Sequence, residues 1–281
     1  MHSVSYTGKK KRLDKIFRNG KTLIAPVDDS LMFGPFVALE NMSATVASII
    51  RGNPSAILGF KGTYSKYNIN VPFIFNITGS TTRGNHVQKL LISSPMEALI
   101  LGADCVAVHI NYTSKYENEM IRMLATTISE ADSIGMPVLA IAYPRSQNAD
   151  NSDYNYEDLK AKDNNAYTEL VSHVVRTSAE LGADIIKTQY TGNSESFKKV
   201  VESAMGTPVV IAGGPLVPVE ESYLMAKGAL NAGASGISFG RNVFNADDIE
   251  AYLAGLSALI FDNASVEDAL TIYSVKTTNR K

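Results

Sequence analysis

The sequence predicts an α/β fold: a (β/α)8 barrel with an extra N-terminal helix, formed as one domain over residues 1–281. Three observations predict it. Eight short apolar runs recur along the chain, the turns that lead into them repeat, and amphipathic segments of helical length separate most of them. Strands that alternate with helices form a parallel sheet, and eight such units close into a barrel.

The eight apolar runs are rich in Val, Ile and Phe, and most are apolar on both faces, which is typical of parallel strands covered by helices. They span residues 22–29, 55–60, 71–78, 105–111, 137–143, 184–190, 208–214 and 235–241. Three runs follow a Gly-Ala-Asp or Gly-Ala-Ser turn, and three begin at or next to a proline. This repetition indicates a repeated strand–helix unit.

Helical segments lie between most of these runs. The clearest cover residues 118–135, 167–182, 220–233 and 247–261, where apolar residues recur on one face. The interval between Phe60 and Val71 is too short for a full helix, so an open doubly wound sheet is the alternative. No Gly-x-Gly-x-x-Gly follows any run, which disfavours that alternative. The basic run at residues 9–12 is interpreted as the solvated face of the first helix.

The composition gives no sign of a nucleic-acid or membrane partner. The chain carries a net charge of −2, without the positive surplus that usually accompanies binding to nucleic acid or anionic lipid. The one cysteine, Cys105, suits a reducing compartment. Neither a secretory signal nor an apolar stretch of membrane-spanning length occurs. We therefore expect a cytoplasmic protein.

A polar segment, residues 144–166, follows the fifth run. A loop of this length in a compact domain is usually a lid, a binding loop or an interface element. The sequence does not decide between these three roles.

Polar residues and glycines collect where the strands are predicted to end. In a (β/α)8 barrel the active site lies at the carboxyl ends of the strands, so these residues should share one rim. They include Asp28, Asp29, Lys61, His109, Tyr143, Lys187, Gly213, Gly214, Gly240 and Arg241. We expect them to form a binding or catalytic site.

Lys187 is the most informative of these residues because it lies inside a predicted strand, where an ammonium group is costly to desolvate. Either it is paired with a buried carboxylate, or its pKa is lowered so that the amine attacks a carbonyl and forms an imine. Lys61 is either a second cation that lowers this pKa, a ligand of a substrate phosphate, or an ordinary lysine at the rim.

Imine chemistry also needs a proton carrier and a group that polarises a hydroxyl. Tyr143 and Asp28 are of the right types and follow different predicted strands. The alternatives are that Tyr143 is a packed aromatic residue and that Asp28 caps a loop.

Two glycine turns follow the last two runs. Gly213 with Gly214, and Gly240 with Arg241, expose backbone N–H groups at the place where barrels of this kind bind phosphate. Neither a metal nor another cofactor is predicted, because the four histidines show no metal-ligand spacing.

Five sequence blocks carry a resemblance to a known family. They are LIAPVDDSLMFGP, AYPRS, GADIIKTQYTG, VVIAGGP and GASGISFGRNVF. In this order they resemble the archaeal-type class I aldolases, the group that contains the fructose-bisphosphate aldolases and the 2-amino-3,7-dideoxy-D-threo-hept-6-ulosonate synthases. The resemblance extends from about Arg12 to Leu270.

The resemblance implies a role for each matching residue. It implies that Lys187 forms the Schiff base, that Tyr143 donates and accepts the proton, and that Asp28 assists. It also implies that the two glycine turns hold the substrate phosphate. A homo-oligomer is expected as well, because the family commonly forms rings of barrels.

The implied activity is that of a metal-independent aldolase that joins a phosphorylated ketone, such as dihydroxyacetone phosphate, to an aldehyde in a biosynthetic reaction of heptulosonate type. Its partners would be small phosphorylated ketone and aldehyde substrates. The alternatives are a fructose-bisphosphate aldolase of sugar metabolism, a phosphorylated-diketone thiolase on a similar barrel, and a non-catalytic barrel that senses a sugar phosphate.

The chain departs from the family pattern at Asp28-Asp29-Ser30, where Asp-His-Gly is usual, and at Ser146, where the Tyr-Pro-Arg block usually ends in glycine. If Asp29 faces the site, its carboxylate disfavours a second phosphate and favours an acceptor with an ammonium group, such as aspartate semialdehyde. Otherwise Asp29 faces a neighbouring helix and pairs with a structural cation.

Overall fold

The computed structural model describes residues 4–150 and 152–278. Its strands are β1 (Thr22–Pro26), β2 (Ala56–Gly59), β3 (Phe73–Asn76), β4 (Thr78–Gly79), β5 (Leu90–Leu91), β6 (Cys105–Tyr112), β7 (Val138–Pro144), β8 (Ser146–Gln147), β9 (Asp153–Tyr154), β10 (Ile185–Thr188), β11 (Val209–Ala212) and β12 (Gly236–Ser238). The eight longer central strands coincide with the eight apolar runs of the sequence.

Eight strands form a closed barrel in the order β1–β12–β11–β10–β7–β6–β3–β2. Every neighbouring pair in it is parallel. The remaining strands form two antiparallel pairs, β4 with β5 and β8 with β9. The predicted (β/α)8 barrel is confirmed, and the open sheet is wrong.

The helices are α1 (Val4–Ile16), α2 (Asp29–Phe33), α3 (Val37–Glu40), α4 (Met42–Arg51), α5 (Lys61–Lys66), α6 (Pro95–Ile100), α7 (Glu117–Ser133), α8 (Glu157–Lys162), α9 (Asn164–Glu180), α10 (Ser194–Ser203), α11 (Val219–Asn231), α12 (Arg241–Phe244), α13 (Ile249–Phe261) and α14 (Val266–Thr278). Within the described ranges, none of them is long and apolar enough to cross a bilayer.

The interval between β2 and β3, which is too short for a full helix, holds only the six-residue α5. This short helix still covers its part of the sheet. The ring of Tyr64 on α5 stacks on the ring of Phe73 on β3, with centroids 4.5 Å apart. Barrel closure therefore does not need a long helix at this position.

The barrel has two apolar layers because the side chains of a strand alternate between its two faces. Residues that point to the barrel axis, such as Ile24, Ile74 and Ile185, pack with one another in an inner layer. Their sequence neighbours, such as Leu23 and Ile186, pack against the helices in an outer layer. The same alternation decides which residues near the carboxyl ends can face the barrel axis.

The predicted N-terminal helix is α1, and it closes the amino end of the barrel. Its last residue, Ile16, is fully buried and packs into the inner layer. Lys9 forms an ion pair with Asp184 at 3.0 Å, and Arg12 donates a hydrogen bond to the carbonyl oxygen of Gly135 at 3.2 Å. The basic run therefore fastens α1 to the barrel, and its interpretation as a solvated face is wrong for Lys9 and Arg12.

Closure of the barrel between its first and last strands depends on a glycine. Gly236 on β12 is the register partner of Thr22 on β1. At its φ of +152°, a Cβ would lie 1.9 Å from the carbonyl oxygen of Thr22. Only a residue without a side chain lets the two backbones approach this closely.

Candidate active site

Lys187 lies on β10 and points to the barrel axis. Ile185 belongs to the inner layer and Ile186 to the outer layer, so strand alternation turns Lys187 inward. The residue is 8% exposed. Within the described residues, no hydrogen bond or ion pair engages its Nζ. The alternative of a lysine held in a buried ion pair therefore does not fit this geometry.

Burial lowers the pKa of Lys187, because the ammonium form loses its hydration in this position. The negative charges of Asp28 and Asp29 oppose the shift, and the positive charge of Arg241 reinforces it. A lowered pKa increases the fraction of neutral amine at a given pH, and the neutral amine is the nucleophile.

Lys187 lines a cavity at the carboxyl ends of the barrel strands. Every predicted site residue except Lys61 lines this cavity, namely Asp28, Asp29, His109, Tyr143, Lys187, Gly213, Gly214, Gly240 and Arg241. They lie on six of the eight barrel strands, or in the loops and at the first helix positions that follow these strands. The fold thus brings together residues that are distant in the sequence.

Lys61 does not line the cavity. It begins α5, its side chain is 57% exposed, and it forms an ion pair with Glu97. It is not among the charges that shift the pKa of Lys187. Of the three interpretations of Lys61, the ordinary rim lysine fits its position, and an exposed pair of this kind adds little stability.

Tyr143 and His109 form an aromatic wall of the cavity. Tyr143 lies on β7, two residues beyond Ile141, which is the register partner of Lys187. The rings of Tyr143 and His109 meet edge-on, with centroids 5.3 Å apart. Burial raises the pKa of the Tyr143 phenol and lowers the pKa of His109. At neutral pH the phenol therefore keeps its proton and the imidazole is uncharged.

A hydrogen bond from Asn76 fixes the carboxylate of Asp28. Its Oδ2 accepts a hydrogen bond from Asn76 Nδ2 at 2.8 Å, and Asn76 Oδ1 accepts hydrogen bonds from the amide and hydroxyl of Thr78. Burial raises the pKa of Asp28, although the charge of Lys187 opposes the shift. The side chain of Asp28 makes no capping hydrogen bond to α2, so the alternative that Asp28 only caps a loop does not fit this structure.

The two glycine turns present four backbone N–H groups, those of Gly213, Gly214, Gly240 and Arg241. Within residues 4–150 and 152–278, none of the four donates a hydrogen bond. Gly214 has a φ of +65°, a conformation that glycine adopts without strain. Because backbone N–H groups are usually paired, four unpaired donors on one cavity wall form a suitable site for an anion.

Asn242 holds the first glycine turn in place. Its Nδ2 donates to the carbonyl oxygens of Gly213 at 3.0 Å and Pro215 at 3.2 Å, and its Oδ1 accepts from the amide of Val217 at 3.0 Å. A Cβ at Gly213 would lie 3.0 Å from the ring of Phe239, so this position has no room for a side chain. The sequence predicts the turns but not this support.

Asp29 faces the cavity and pairs with Arg241. Its Oδ2 lies 3.5 Å from Nε of Arg241. Burial, together with the nearby charge of Asp28, raises the pKa of Asp29 to about 6. Neither sequence hypothesis describes this arrangement fully, because the cation that Asp29 meets is itself a predicted phosphate ligand.

Arg145 also lines the cavity, although it is not among the site residues that the sequence predicts. Its Nε donates to Asn155 Oδ1 at 2.7 Å, and a terminal nitrogen lies 3.2 Å from Nε2 of His86. Burial and the charges of Lys89 and Arg145 lower the pKa of His86 to about 3, so this imidazole is neutral. In the described part of the chain, Arg145 forms no ion pair within 4.0 Å. The negative charges of Asp153 and Asp29 act on it only from beyond that distance.

Asn155, which holds Arg145, belongs to the polar segment 144–166. The first part of this segment forms the β8–β9 hairpin and the later part contains α8. Of the three roles predicted for the segment, a loop that contributes to the site fits this arrangement. The AYPRS block contains Arg145, but the block gives no sign of the residues that hold it.

Lys89 is a buried lysine outside the cavity. It is 2% exposed, and its Nζ donates to Ser80 Oγ at 2.7 Å. Burial lowers its pKa to about 7. Lys89 does not line the cavity, but it is a second buried amine that any mapping of an imine has to distinguish from Lys187.

Ser238 on β12 adds a polar atom that sequence reasoning missed. The residue lines the cavity, and its buried Oγ has no hydrogen-bond partner among the described residues, although buried polar atoms usually have one. In the sequence, a small residue on a strand gives no such signal.

Comparisons with known proteins agree with this geometry. The sequence model of the DeoC/LacD family of aldolases matches residues 22–246. The chain is 34% identical to 2-amino-3,7-dideoxy-D-threo-hept-6-ulosonate synthase of Halobacterium salinarum, over 94% of this chain and 95% of that protein. It is 31% identical to 2-amino-4,5-dihydroxy-6-oxo-7-(phosphonooxy)heptanoate synthase of Streptomyces griseus, over 87% and 86%. A solved Schiff-base-forming fructose-1,6-bisphosphate aldolase has a TM-score of 0.78 and 28% identity, over 90% of this chain and all of that one.

Proposed function

The chain belongs to the DeoC/LacD family of aldolases and is a class I aldolase, a carbon–carbon lyase; from this premise we propose that it joins dihydroxyacetone phosphate to aspartate semialdehyde. The observation that carries the proposal is Lys187. It is a buried amine without a partner in the described chain, with a lowered pKa, in a cavity that also contains proton carriers and free N–H donors.

The reaction begins with an imine. The neutral amine of Lys187 adds to the ketone carbon of the donor, and the carbonyl oxygen leaves as water. Loss of a proton from the adjacent donor carbon gives an enamine, which attacks the aldehyde carbon and forms the new carbon–carbon bond. The aldehyde oxygen takes up a proton, and water then hydrolyses the imine, which releases the product and restores Lys187.

Two side chains of the cavity support these proton transfers. The Tyr143 phenol is protonated at neutral pH because burial raises its pKa, so it can donate to the oxygen that develops on the acceptor aldehyde, and the phenolate can then take the proton that the next donor carbon loses. Asp28, fixed by Asn76, orients the reacting hydroxyl or the amine. Within the described residues, no group of three or more His, Cys, Asp or Glu side chains is arranged to hold a metal, and the proposed steps use none.

The glycine turns support a phosphorylated donor. Four residues whose N–H groups have no partner in the described chain line the cavity, and one of them, Arg241, adds a positive charge. Phosphate binds well to such clustered amides and forms charge-assisted hydrogen bonds with arginine. Held there, the donor has its ketone carbon within the cavity that contains Lys187.

The two relatives support an amino aldehyde as acceptor. Their names describe products with seven carbons, an amino group at carbon 2 and a ketone at carbon 6. An aldol bond next to that ketone joins carbons 4 and 5, so carbons 1–4 correspond to aspartate semialdehyde. The 7-phosphonooxy group of the Streptomyces product corresponds to dihydroxyacetone phosphate as donor, whereas the 7-deoxy product of the Halobacterium relative has no oxygen on that carbon.

Arg145 is suited to the carboxylate of this acceptor. It lines the cavity and has only neutral hydrogen-bond partners in the described chain, Asn155 and His86. Burial of the guanidinium is costly, and the charges of Asp153 and Asp29 offset that cost only from beyond 4.0 Å. A carboxylate bound in a bidentate manner would offset it directly. A phosphate group could also bind Arg145. Glyceraldehyde 3-phosphate is therefore the second candidate acceptor, and the corresponding activity is that of a fructose-bisphosphate aldolase.

Trapping the imine tests the proposal. Incubation with dihydroxyacetone phosphate and borohydride should add the mass of the reduced donor to the peptide that contains Lys187. Peptide mapping has to separate this label from Lys89, whose pKa burial lowers to about 7, and from Lys61. A label on either of those residues, or no label, would refute the site.

The phosphate site is tested by Gly214→Asp compared with Gly214→Asn. Nothing lies within 4 Å of a Cβ at Gly214, and both side chains tolerate the positive φ similarly. The aspartate adds a negative charge beside the free N–H groups, so the KM for dihydroxyacetone phosphate should rise about tenfold or more relative to the asparagine variant. Equal KM values in the two variants would contradict a phosphate site at this turn.

The acceptor is tested by comparing kcat/KM for aspartate semialdehyde and glyceraldehyde 3-phosphate in the native protein. We expect a preference for aspartate semialdehyde. Arg145→Gln keeps a side chain that can hydrogen-bond but removes the charge, and should lower kcat/KM for aspartate semialdehyde by about 10- to 100-fold. A native preference for glyceraldehyde 3-phosphate would favour the second candidate.

A further inference from the structure

The ion pair between Asp29 and Arg241 joins two parts of the cavity rim. Asp29 begins α2, the first helix after β1, and Arg241 begins α12, the first helix after β12. Asp29 Oδ2 and Arg241 Nε are 3.5 Å apart, and both residues line the cavity. The cation proposed to bind the donor phosphate therefore already has an anion of the protein beside it.

Asp29 has few other means of compensating its charge. In the described chain its carboxylate accepts no hydrogen bond, and Arg241 is its one partner within 4.0 Å. The charged groups that face it from the surrounding elements are Asp28 on the same loop, Lys187 on β10, Arg145 after β7 and Arg241 after β12. Burial and Asp28 act against its ionised form, and the three cations support it.

A phosphate bound at the glycine turns changes this balance. It shares Arg241 with Asp29 and adds negative charge close to the carboxylate, and like charges at short range in a partly buried site repel strongly. Two outcomes relieve the repulsion: Asp29 takes up a proton, or the phosphate binds less tightly. Which of them dominates depends on pH.

We propose that Asp29 is the free enzyme's own counter-anion for Arg241, that the donor phosphate displaces it, and that binding of a phosphorylated donor is therefore coupled to proton uptake at Asp29. The proposal rests on the proposed function, in that it takes the glycine turns as the phosphate site. It makes Asp29 a residue that sets the preference between phosphorylated and unphosphorylated donors.

The direction of the pH dependence follows from the displacement. The pKa of Asp29 is about 6 in the free protein, and a bound phosphate raises it further. Asp29 is then neutral in both states well below pH 6, where the coupling vanishes. As the pH rises through the pKa of Asp29 in the free protein and then through its pKa in the phosphate complex, Asp29 becomes charged. Its charge then lowers the affinity for phosphate, and the effect levels off above both pKa values.

Asp29→Asn removes the charge and keeps the size of the side chain, so it isolates this contribution. At pH 8 we expect the affinity for dihydroxyacetone phosphate, relative to that for unphosphorylated dihydroxyacetone, to be about tenfold higher in Asp29→Asn than in the native protein. That ratio corresponds to a coupling of about one pKa unit. At pH 5 the two proteins should have similar ratios.

Proton uptake is the second readout. Calorimetric titration with inorganic phosphate, near pH 6.5 in two buffers of different ionisation enthalpy, gives the number of protons taken up. The phosphate's own titration is common to both proteins, so the difference between native and Asp29→Asn belongs to Asp29. Asp29→Glu keeps the charge and should keep the uptake.

An unchanged donor ratio at pH 8, an equal proton uptake in native and Asp29→Asn protein, or no binding of phosphate at all would overturn the inference. Failure of the proposed function looks different. If no ketone is trapped on Lys187 but phosphate still binds with proton uptake at Asp29, the aldolase assignment fails and the inference holds. If trapping succeeds and Asp29→Asn has no effect, only the inference fails.

Discussion

Replacing Lys187 with alanine is expected to lower turnover by roughly 10⁴-fold or more, because no other group can form the covalent intermediate from the same position. Borohydride trapping with dihydroxyacetone phosphate should give no adduct in this variant. The variant should also be folded and at least as stable as the native protein, since the substitution removes a buried amine without a partner in the described chain. Steady-state kinetics, trapping and thermal unfolding measure the three expectations.

Lys61→Ala is the matched control. Lys61 is a rim lysine of the same barrel, but it lies outside the cavity and pairs with Glu97. Its replacement should change turnover by less than about twofold, in keeping with the small effect of an exposed ion pair. If Lys61→Ala loses activity and Lys187→Ala keeps it, the assignment of the nucleophile is wrong.

The pH dependence of trapping reports on the same amine. Because burial lowers the pKa of Lys187, the neutral form is reached at a lower pH than for an exposed lysine. The initial rate of imine formation should rise with pH through this lowered pKa and then level off. A rate that continues to rise beyond about pH 10, where an exposed lysine titrates, would indicate an unperturbed amine.

The sequence predicts the barrel because parallel strands covered by helices have to be apolar along their whole length. Runs such as residues 105–111 and 137–143 therefore coincide with β6 and β7. The hairpins β4–β5 and β8–β9 are not predicted, because strands of two residues are too short to show a periodic pattern. Their positions depend on tertiary contacts.

The site is predictable where position along a strand decides it. Lys187 and Tyr143 face the cavity because alternation turns them inward near the carboxyl end of a strand. Lys61 also follows a strand, but the chain enters α5 at this residue, and its side chain meets Glu97. Strand order along the sequence does not reveal that change of direction.

The remaining features depend on contacts between distant parts of the chain. Arg145 becomes part of the site because His86, 59 residues earlier, and Asn155 hold it. Asp29 meets Arg241 only when the first and last strands pair to close the barrel. Without the fold, the sequence shows a substituted motif at Asp29 but not the cation that it faces.

Tyr143→Phe should separate proton transfer from imine formation. The phenylalanine keeps the aromatic wall against His109 but has no hydroxyl. We expect turnover to fall by about 10²–10⁴-fold, the usual contribution of a placed acid–base group, while borohydride still traps the donor on Lys187. Single-turnover kinetics and the mass of the adduct measure the two steps separately.

Tyr223→Phe is the control for the loss of a buried tyrosine hydroxyl. Tyr223 is fully buried outside the cavity, and its hydroxyl donates to the carbonyl oxygen of Tyr252 at 2.9 Å. Its replacement should cost about 1 kcal/mol of stability and leave turnover per folded molecule close to the native value. If Tyr143→Phe behaves like Tyr223→Phe, Tyr143 is only a packed aromatic residue. If it also fails to trap the donor, Tyr143 delivers the proton with which the carbonyl oxygen leaves as water, and its role lies in imine formation.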